Sequence, residues 1–241
     1  IICIDNSSAF RMSHPLIVPE INFNTISGNI IANPNCCTII LCMLLYPLNS
    51  ISKIERVIVS TYQAISGAGY KCINELNTQI KQYNNNQEIT KNYLKSQCFN
   101  NVFSHDTDID INNGYNGEEN KIINETKKIL NISDLKITAT CIRVPVFRSH
   151  CESVNVTFKD NINESDIRNI LNTFPGVSIL DDRNNNNFPE SIKSELKDNI
   201  LIGRIRKDLS EKNSYNFFIS GDQLRKGAAL NAIQIAELLN K

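Results

Sequence analysis

Cys36 is the residue whose type and position point most directly to chemistry. It follows Asn33, Pro34 and Asn35, a run typical of a tight turn that leads into a helix. A thiol at a helix start lies near unpaired backbone N–H groups and the positive end of the helix dipole, which lower its pKa and favour a nucleophilic thiolate. A free cysteine is also commonly a buried packing residue, so spacing alone leaves both roles open.

A thiolate enzyme needs an acid–base partner that titrates near neutrality, and the chain has three histidines. His14 and His105 lie in polar, loop-like stretches, whereas His150 follows Arg143 by seven residues, beyond the end of a predicted strand. Catalytic groups are often displayed at such positions. By itself, a histidine at this position is more often a surface or core residue than a catalyst.

Three further features could bind an anion or a cofactor. Arg143 lies in an apolar strand and therefore needs a counter-anion, either from a ligand or from the chain's own Asp and Glu residues. Glu118 and Lys121 share a helix face, where the simplest interpretation is a surface ion pair. The Ser-Gly-Ala-Gly turn at 66–69 could admit a phosphate or a flat ring, but no G-x-G-x-x-G follows any strand.

The elements that must position these residues alternate between helix and strand. Hydrophobic spacing predicts helices at 38–48, from 70 to about 82, from 118 and at 164–173, and strands at 54–61, 136–146, 153–159, 177–180 and 215–220. Residues 83–117 are predicted to cross the surface, and the Asn tract 184–187 to be a solvated loop. This order predicts an α/β or α+β fold.

Asp222 is predicted to cap a last helix. Leu224, Ala228, Ile235 and Leu239 are its core-facing candidates, and Gly227 is its weak point.

Composition excludes several classes of protein. The 241 residues are 41% hydrophobic and 21% charged, which allows a real core, and 25 basic residues balance 25 acidic ones. A net charge of zero argues against nucleic-acid binding, and no apolar run is long enough to predict a membrane span. Eight cysteines without a C-x-x-C pair predict neither a disulfide scaffold nor a zinc site, and favour a reducing compartment.

Five segments together resemble one family. Residues 5–11, 33–36, 60–69, 143–150 and 225–231 occur in the order found in aspartate-semialdehyde dehydrogenase. Residues 113–116 and 177–183 look most like its plant and related bacterial branch. The chain departs from the family at Cys37, where serine is common, and at Cys151, where a small residue is usual.

The resemblance implies a Rossmann-like nucleotide-binding domain and an α/β catalytic and dimerisation domain with a mixed sheet. Residues 1–35 would be the C-terminal remnant of the NADP-binding Rossmann-like domain, and 36–221 the catalytic and dimerisation domain. Residues 222–241 would be a helix that returns to the nucleotide-binding part. We expect the family's glycine-rich loop to lie upstream of this chain, where any targeting segment would also lie. Cytoplasm or plastid stroma is the implied location.

The resemblance also assigns roles. Cys36 matches the nucleophile, His150 the acid–base residue and Gln63 the residue that orients the acyl intermediate. Arg143 matches the group that holds the substrate carboxylate, and Glu118 the acid that binds its amino group.

The remaining matched positions bind phosphate or cofactor. Arg11, Asn35 and Lys121 match the phosphate site, and Ser66, Gly67 and Asn231 match positions near the nicotinamide of NADP.

The implied reaction is NADPH-dependent reductive dephosphorylation of β-aspartyl phosphate to aspartate semialdehyde through a cysteine thioester, in lysine, threonine and methionine biosynthesis. It needs no metal, and the implied assembly is a homodimer or tetramer. Two alternatives stay open: N-acetyl-glutamyl-phosphate reductase, and a catalytically incompetent dimerising fragment.

Overall fold

A seven-stranded mixed sheet organises the fold in the computed structural model, which describes residues 1–240. Its strand order is β4-β5-β3-β6-β9-β8-β7. The strands are β3 (Ile54–Gln63), β4 (Phe103–Ser104), β5 (Lys136–Arg143), β6 (His150–Phe158), β7 (Val177–Ile179), β8 (Ile200–Lys207) and β9 (Ser214–Gly221). A separate parallel pair is formed by β1 (Cys3–Asp5) and β2 (Ile30–Ala32).

Seven α-helices connect and cover these strands. They are α1 (Pro19–Asn22), α2 (Cys36–Ile51), α3 (Tyr70–Asn84), α4 (Gly117–Leu130), α5 (Glu164–Thr173), α6 (Ser191–Ser194) and α7 (Leu230–Leu239). Short 3₁₀ turns lie at Phe23–Thr25 and Ile65–Ala68, and a π-helical turn at Arg225–Ala229 precedes α7. No helix within residues 1–240 is both long and apolar enough to cross a bilayer.

Strand β3 is the centre on which the site depends. It runs parallel to β5 and antiparallel to β6, so that Gln63 lies level with Arg143 and Tyr62 lies level with Cys151. The end of β3 therefore meets the end of β5 and the start of β6, which lie about 80 residues later in the sequence, at one edge of the sheet.

Helix α2 packs on the middle of the sheet and supplies much of the core. Asn35 caps its start, since its side-chain oxygen accepts hydrogen bonds from the N–H groups of Cys37 at 3.0 Å and Thr38 at 3.2 Å. From Cys37 to Leu45 every residue is buried, which agrees with the apolar run in the sequence. Pro47 lies inside the helix, which continues to Ile51 rather than ending near residue 48 as predicted.

The N-terminal segment and the last helix pack on each other. Ile235 of α7 forms a small core with Ile17 and Ile31, apart from the main core. A buried ion pair joins the same regions, because Lys226 Nζ lies 2.6 Å from Glu20 Oε2. The last helix thus contacts residues 1–35, as expected, while the domain boundaries stay a prediction.

Breaking this ion pair by removing one partner should lower the stability of the fold substantially. Lys226 is 1% exposed and Glu20 10%, so Lys226→Met strands a nearly buried carboxylate. We expect the free energy of unfolding to fall by about 3 kcal/mol in urea denaturation. The double variant Lys226→Met/Glu20→Gln should recover most of the lost free energy of unfolding, because it no longer buries an unpaired charge. A double variant that is less stable than Lys226→Met would contradict this account.

Several predicted details are wrong. Strand β6 begins at His150, not 153, so His150 is the first residue of a strand rather than a residue beyond one. Strand β8 was not predicted, because charged residues and Gly203 interrupt its apolar alternation. The π-helical turn shifts the phase of the last helix, which leaves Leu224 39% exposed and turns Gly227 toward Cys36.

Candidate active site

One cavity of about 480 Å³ gathers most of the predicted residues. It lies where β3, β5 and β6 end beside the start of α2, with α4 along one side. The predicted residues that line it are Arg11, Asn35, Cys36, Gln63, Ser66, Gly67, Glu118, Lys121 and Arg143. His150 lies directly beneath, since its ring is fully buried against Gly67.

Cys36 is the first residue of α2 and is half-buried at the cavity. Its sulfur, the Cys37 sulfur and a ring nitrogen of His150 lie within 4.8 Å of one another. A hydrogen bond from Cys37 holds the pKa of the Cys36 thiol well below its usual value, against the effect of burial, and His150 lowers this pKa further. Cys36 thus has the character of a thiolate nucleophile.

The Ala64 peptide orients two of the predicted residues. Its N–H donates to His150 Nδ1 at 2.9 Å, and its carbonyl accepts from Arg143 Nη1 at 3.0 Å. Because Nδ1 accepts a hydrogen bond, the ring proton of neutral His150 is on Nε2. Nε2 is buried without a partner in residues 1–240, so His150 presents an N–H donor to the cavity floor.

The same contact argues against a metal at the two thiols. Cys36, Cys37 and His150 are spaced like a set of soft metal ligands. A metal would need a bare imidazole nitrogen, however, and the Ala64 N–H already occupies the lone pair of Nδ1. The donor set therefore fits a thiolate with an N–H donor better than a metal centre.

Glu118 joins the two sides of the cavity. One of its oxygens accepts from Asn35 Nδ2 at 2.8 Å and Gln63 Nε2 at 3.1 Å, and the other lies 3.3 Å from Lys121 Nζ. Burial alone would raise the pKa of Glu118, but the Coulombic effect of His105, the hydrogen bonds from Asn35 and Gln63 and the charge of Lys121 lower it to about 2. Glu118 is therefore ionised and can bind a cationic group.

Arg143 is 2% exposed, and the long excursion 83–117 supplies its neighbours. Its Nη2 lies 2.7 Å from His105 Nε2 and 3.5 Å from Asp106 Oδ1. Burial and the nearby Arg143 charge lower the pKa of His105, which suits an acceptor nitrogen. From the sequence, His105 was assigned to a loop and Asp106 was not identified as a candidate. A polar loop has no hydrophobic periodicity from which these two positions could have been predicted.

The predicted phosphate ligands also line the cavity, and each is held by neighbouring groups. Arg11 is paired with Glu125 at 3.1 Å and donates to the Asn33 carbonyl, so it is a buried ion-paired residue rather than a solvated one. Asn35 caps α2, and Lys121 is about one-third exposed beside Glu118. Their roles as phosphate ligands stay a prediction.

The predicted nicotinamide contacts divide between two places. Ser66 and Gly67 line the cavity, and Gln223 donates to the Ser66 hydroxyl. Asn231, in contrast, is buried away from the cavity, where it donates to Asn33 and to the Ile17 carbonyl and accepts from Lys226. The Asn231 amide thus links the last helix to the N-terminal segment, and its contact with the nicotinamide stays a prediction.

Two glycines let the cavity walls approach closely. A Cβ at Gly67 would lie 3.1 Å from the Cε1 and Nε2 atoms of His150, and one at Gly227 would lie 3.1 Å from the Cβ of Cys36. Side chains at these positions would push on the nucleophile or on the imidazole. Gly227 is thus required by packing and is not simply a weak point in a helix.

We expect Gly67→Ala to lower kcat by roughly tenfold to a hundredfold, because the methyl group displaces His150 from its position beside Cys36. The melting temperature should change little. Gly117→Ala is the matched control, since its Cβ would make only ordinary contact, 3.4 Å from the Thr107 side chain. Steady-state kinetics check this; wild-type kcat in Gly67→Ala would contradict the assigned position of His150.

Comparisons with known proteins agree with this geometry. Residues 45–226 match the family model described as semialdehyde dehydrogenase, dimerisation domain. An aspartate-semialdehyde dehydrogenase from Prochlorococcus marinus is 48% identical over 99% of this chain and 70% of its own length. The chain belongs to the aspartate-semialdehyde dehydrogenase family.

Solved structures of family members have the same fold. Aspartate-semialdehyde dehydrogenase II from Vibrio cholerae, in a structure described as complexed with ASA, is 38% identical and matches with a TM-score of 0.95. It covers all of this chain, which covers 72% of it. A Candida albicans aspartate-semialdehyde dehydrogenase, described as with NADP, shares the fold at 22% identity and a TM-score of 0.73 over all of this chain and 71% of its own.

Members of the aspartate-semialdehyde dehydrogenase family are oxidoreductases, and so is this protein. The matches also confirm the predicted family and fold class. It also favours the aspartyl enzyme over N-acetyl-glutamyl-phosphate reductase, since the relatives that match along the chain bear the aspartate-semialdehyde name. The roles of individual residues are not tested by these comparisons.

Proposed function

We propose that Cys36 forms a thioester with an aspartyl group, and that this chain carries the catalytic centre for NADPH-dependent reduction of β-aspartyl phosphate to aspartate semialdehyde. The observation that supports this most strongly is the Cys36 thiol at a capped helix start, 4.8 Å or less from a ring nitrogen of His150. A thiolate in that environment is suited to attack an acyl phosphate.

The charged groups of the cavity match the parts of this substrate. Arg143 offers a planar donor to the α-carboxylate, and ionised Glu118 accepts from the α-ammonium group. Lys121, which lies 3.3 Å from Glu118, and Arg11 also line the cavity, where they would stabilise phosphate. Opposite charges are thus placed for a four-carbon amino acid that is anionic at both ends and cationic in between.

The covalent steps take place on Cys36. Its sulfur attacks the acyl carbon, the bond to phosphate breaks, and a thioester forms between Cys36 and the aspartyl group. Gln63 would lie beside this acyl group and orient it. His150 Nε2–H donates to the developing oxyanion together with N–H groups at the start of α2. After reduction, the resulting hemithioacetal collapses, which releases the aldehyde and regenerates the thiolate.

The nicotinamide would lie between two strips of mostly small residues at the cavity mouth. Ser66, Gly67 and Ala68 form one strip, and Gly227 and Ala228 lie opposite. Because the two glycines carry no Cβ, their backbones approach His150 and Cys36 closely, so a ring bound beside them would lie near the nucleophile. NADPH supplies a hydride when bound, and the Candida albicans relative described with NADP supports that choice of cofactor.

The open face of the sheet is our candidate for the homodimer or tetramer interface. Helices α2, α4 and α5 cover one face, whereas half-exposed side chains of β3, β6 and β9 line the other. Tyr62 and Phe218 lie there with ring centroids 6.3 Å apart. Burial of this face in a partner accords with a family model named as a dimerisation domain.

The first acylation step tests the function without needing the nicotinamide. Mixing the chain with β-aspartyl phosphate should release one phosphate per active Cys36 and leave an aspartyl thioester detectable by mass spectrometry. N-acetyl-glutamyl phosphate should give no burst. Absence of any thioester would favour the incompetent fragment, and a burst only with the acetylated substrate would favour the related reductase.

A further inference from the structure

A short loop segment, residues 105–107, lines the cavity but has no part in the proposed reaction. It directly follows β4, which pairs antiparallel with β5 so that Phe103 lies level with Arg143. The His105 N–H continues this pairing, since it donates to the Cys141 carbonyl at 2.8 Å. The edge of the sheet therefore fixes the backbone of His105 near Arg143.

The contacts of the His105 ring determine which of its nitrogens carries the proton. A guanidinium can only donate, so Nε2 accepts from Arg143 Nη2 at 2.7 Å and carries no hydrogen. The hydrogen of the neutral ring is therefore on Nδ1, which donates to Thr107 Oγ1 at 3.3 Å. Because the His105 side chain is only 9% exposed, water competes little for these contacts.

The Thr107 hydroxyl extends the connection to α4. Its oxygen accepts from the Glu118 N–H at 3.1 Å as well as from His105, and it donates to Asn116 Oδ1 at 3.4 Å. Asn116 is the residue that caps α4. A bridge of two side chains, His105 and Thr107, therefore runs from Arg143 on β5 to the first turn of α4, where Glu118 lies.

Two contacts hold the Arg143 guanidinium and leave part of it free. Nη1 donates to the Ala64 carbonyl at 3.0 Å, and Nη2 donates to His105. Nε is buried and has no hydrogen-bond partner within residues 1–240. A planar group that is held at two of its nitrogens cannot turn freely, so its unused donors keep a fixed direction for a carboxylate.

The separation of Arg143 and Glu118 matters for the substrate. In an α-amino acid the carboxylate and the ammonium group are bonded to the same carbon, so the distance between them is fixed. In the proposed site Arg143 binds the first group and Glu118 the second. These side chains come from different elements, β5 and α4, which must therefore be held at a matching separation. The bridge connects the two elements beside both groups.

We propose that His105 is a positioning residue that holds Arg143 at the separation from Glu118 that an α-amino acid requires, and so makes the site selective for the α-carboxylate. The inference rests on the proposed function, in which Arg143 and Glu118 bind the substrate. Asp106 is also near the guanidinium, but its Oδ1 lies 3.5 Å from Nη2, too far for a charge-assisted hydrogen bond. The 2.7 Å contact with His105 is the closer constraint.

The test compares two substrates in the phosphate burst, which needs no nicotinamide. The compound 3-aminopropanoyl phosphate is β-aspartyl phosphate without its α-carboxylate, so the ratio of the two half-saturating concentrations measures recognition of that group. We expect His105→Leu to raise the half-saturating concentration of β-aspartyl phosphate by roughly tenfold, the effect of losing one hydrogen bond to a charged group. The value for 3-aminopropanoyl phosphate and the burst rate at saturation should both stay close to wild type.

Two further substitutions separate the contacts of the ring. His105→Gln places an amide oxygen near the position of Nε2, where it can accept from Arg143, and should keep the wild-type ratio. His105→Asn is too short to reach the guanidinium and should behave like His105→Leu. His14→Leu is the matched control, because His14 lies outside the cavity residues.

Three results would overturn the proposal. An unchanged ratio in His105→Leu would show that other groups, such as Asp106, orient Arg143. Equal losses for both substrates would show that His105 only supports the fold. Equal ratios in His105→Gln and His105→Asn would exclude the hydrogen bond to Arg143, and this pair decides the question if circular dichroism shows that His105→Leu is unfolded.

The outcome is separable from that of the proposed function. A wild-type chain that releases no phosphate from β-aspartyl phosphate would refute the proposed function and this inference with it. A normal wild-type burst together with any of the three results above would refute only the role of His105.

Discussion

Cys36→Ser should abolish the phosphate burst and lower turnover by about a thousandfold or more. A serine hydroxyl at this position is not ionised at neutral pH, and the environment that favours a thiolate does not supply a base strong enough to activate it. The charge of Glu118 and the hydrogen bond from Cys37 are unchanged, so the substitution removes the nucleophile and little else.

Two measurements check this result. Phosphate release from β-aspartyl phosphate follows acylation, and phosphate-dependent reduction of NADP by aspartate semialdehyde follows the reverse reaction. Cys3→Ser is the matched control, because Cys3 is exposed on β1 and lies outside the cavity residues. Equal bursts from Cys36→Ser and wild type would show that another group carries the acyl chain.

Arg143→Lys should lower kcat/KM for aspartate semialdehyde by about a hundredfold, mainly through a higher KM. Lysine keeps the charge but loses the planar pair of donors that matches a carboxylate. It also cannot hold the Ala64 carbonyl and His105 at once, as the guanidinium does at 3.0 and 2.7 Å. Arg143→Leu should lower kcat/KM further, since Asp106 would then lose its ion pair with Arg143.

Cys36 alkylation separates substrate binding from the state of the nucleophile. We expect the pH midpoint of iodoacetamide alkylation at Cys36 to be the same in Arg143→Lys as in wild type, because Cys37, His150 and Glu118 are the neighbours with the largest effects on the pKa of Cys36. Arg56→Lys, at an exposed position of β3, serves as control for a generic change on this sheet. A KM unaffected by Arg143→Lys would exclude the carboxylate role.

Local sequence patterns were enough to predict the bounds of the helices and strands that depend on neighbouring residues. The helix at 164–173 has the predicted bounds, and the strand beginning at Ile54 extends only two residues beyond its predicted end. The turn before Cys36 placed that thiol at a helix start, since capping and apolar periodicity depend on neighbours within a few residues. Where a π-helical turn changed the phase, at Leu224, the same reasoning failed.

The site residues were identified by resemblance and not by spacing. From spacing alone, a packing or surface role was the more common expectation for both Cys36 and His150, and nothing local linked them. Gln63 lies at the end of a strand whose alternation marks it only as inward-facing. Resemblance named these residues, and it also named Asn231, whose role near the nicotinamide stays a prediction while its amide donates to Asn33.

The sequence by itself determined where the principal helices start, which strands are apolar, and that Cys36 begins a helix. Only the tertiary structure decided which distant groups meet. Strand β3 lies between β5 and β6, so Ala64 holds both Arg143 and His150, and a loop brings His105 to Arg143. Capping and periodicity act over a few residues, whereas these contacts depend on strand order and register, which no single segment encodes.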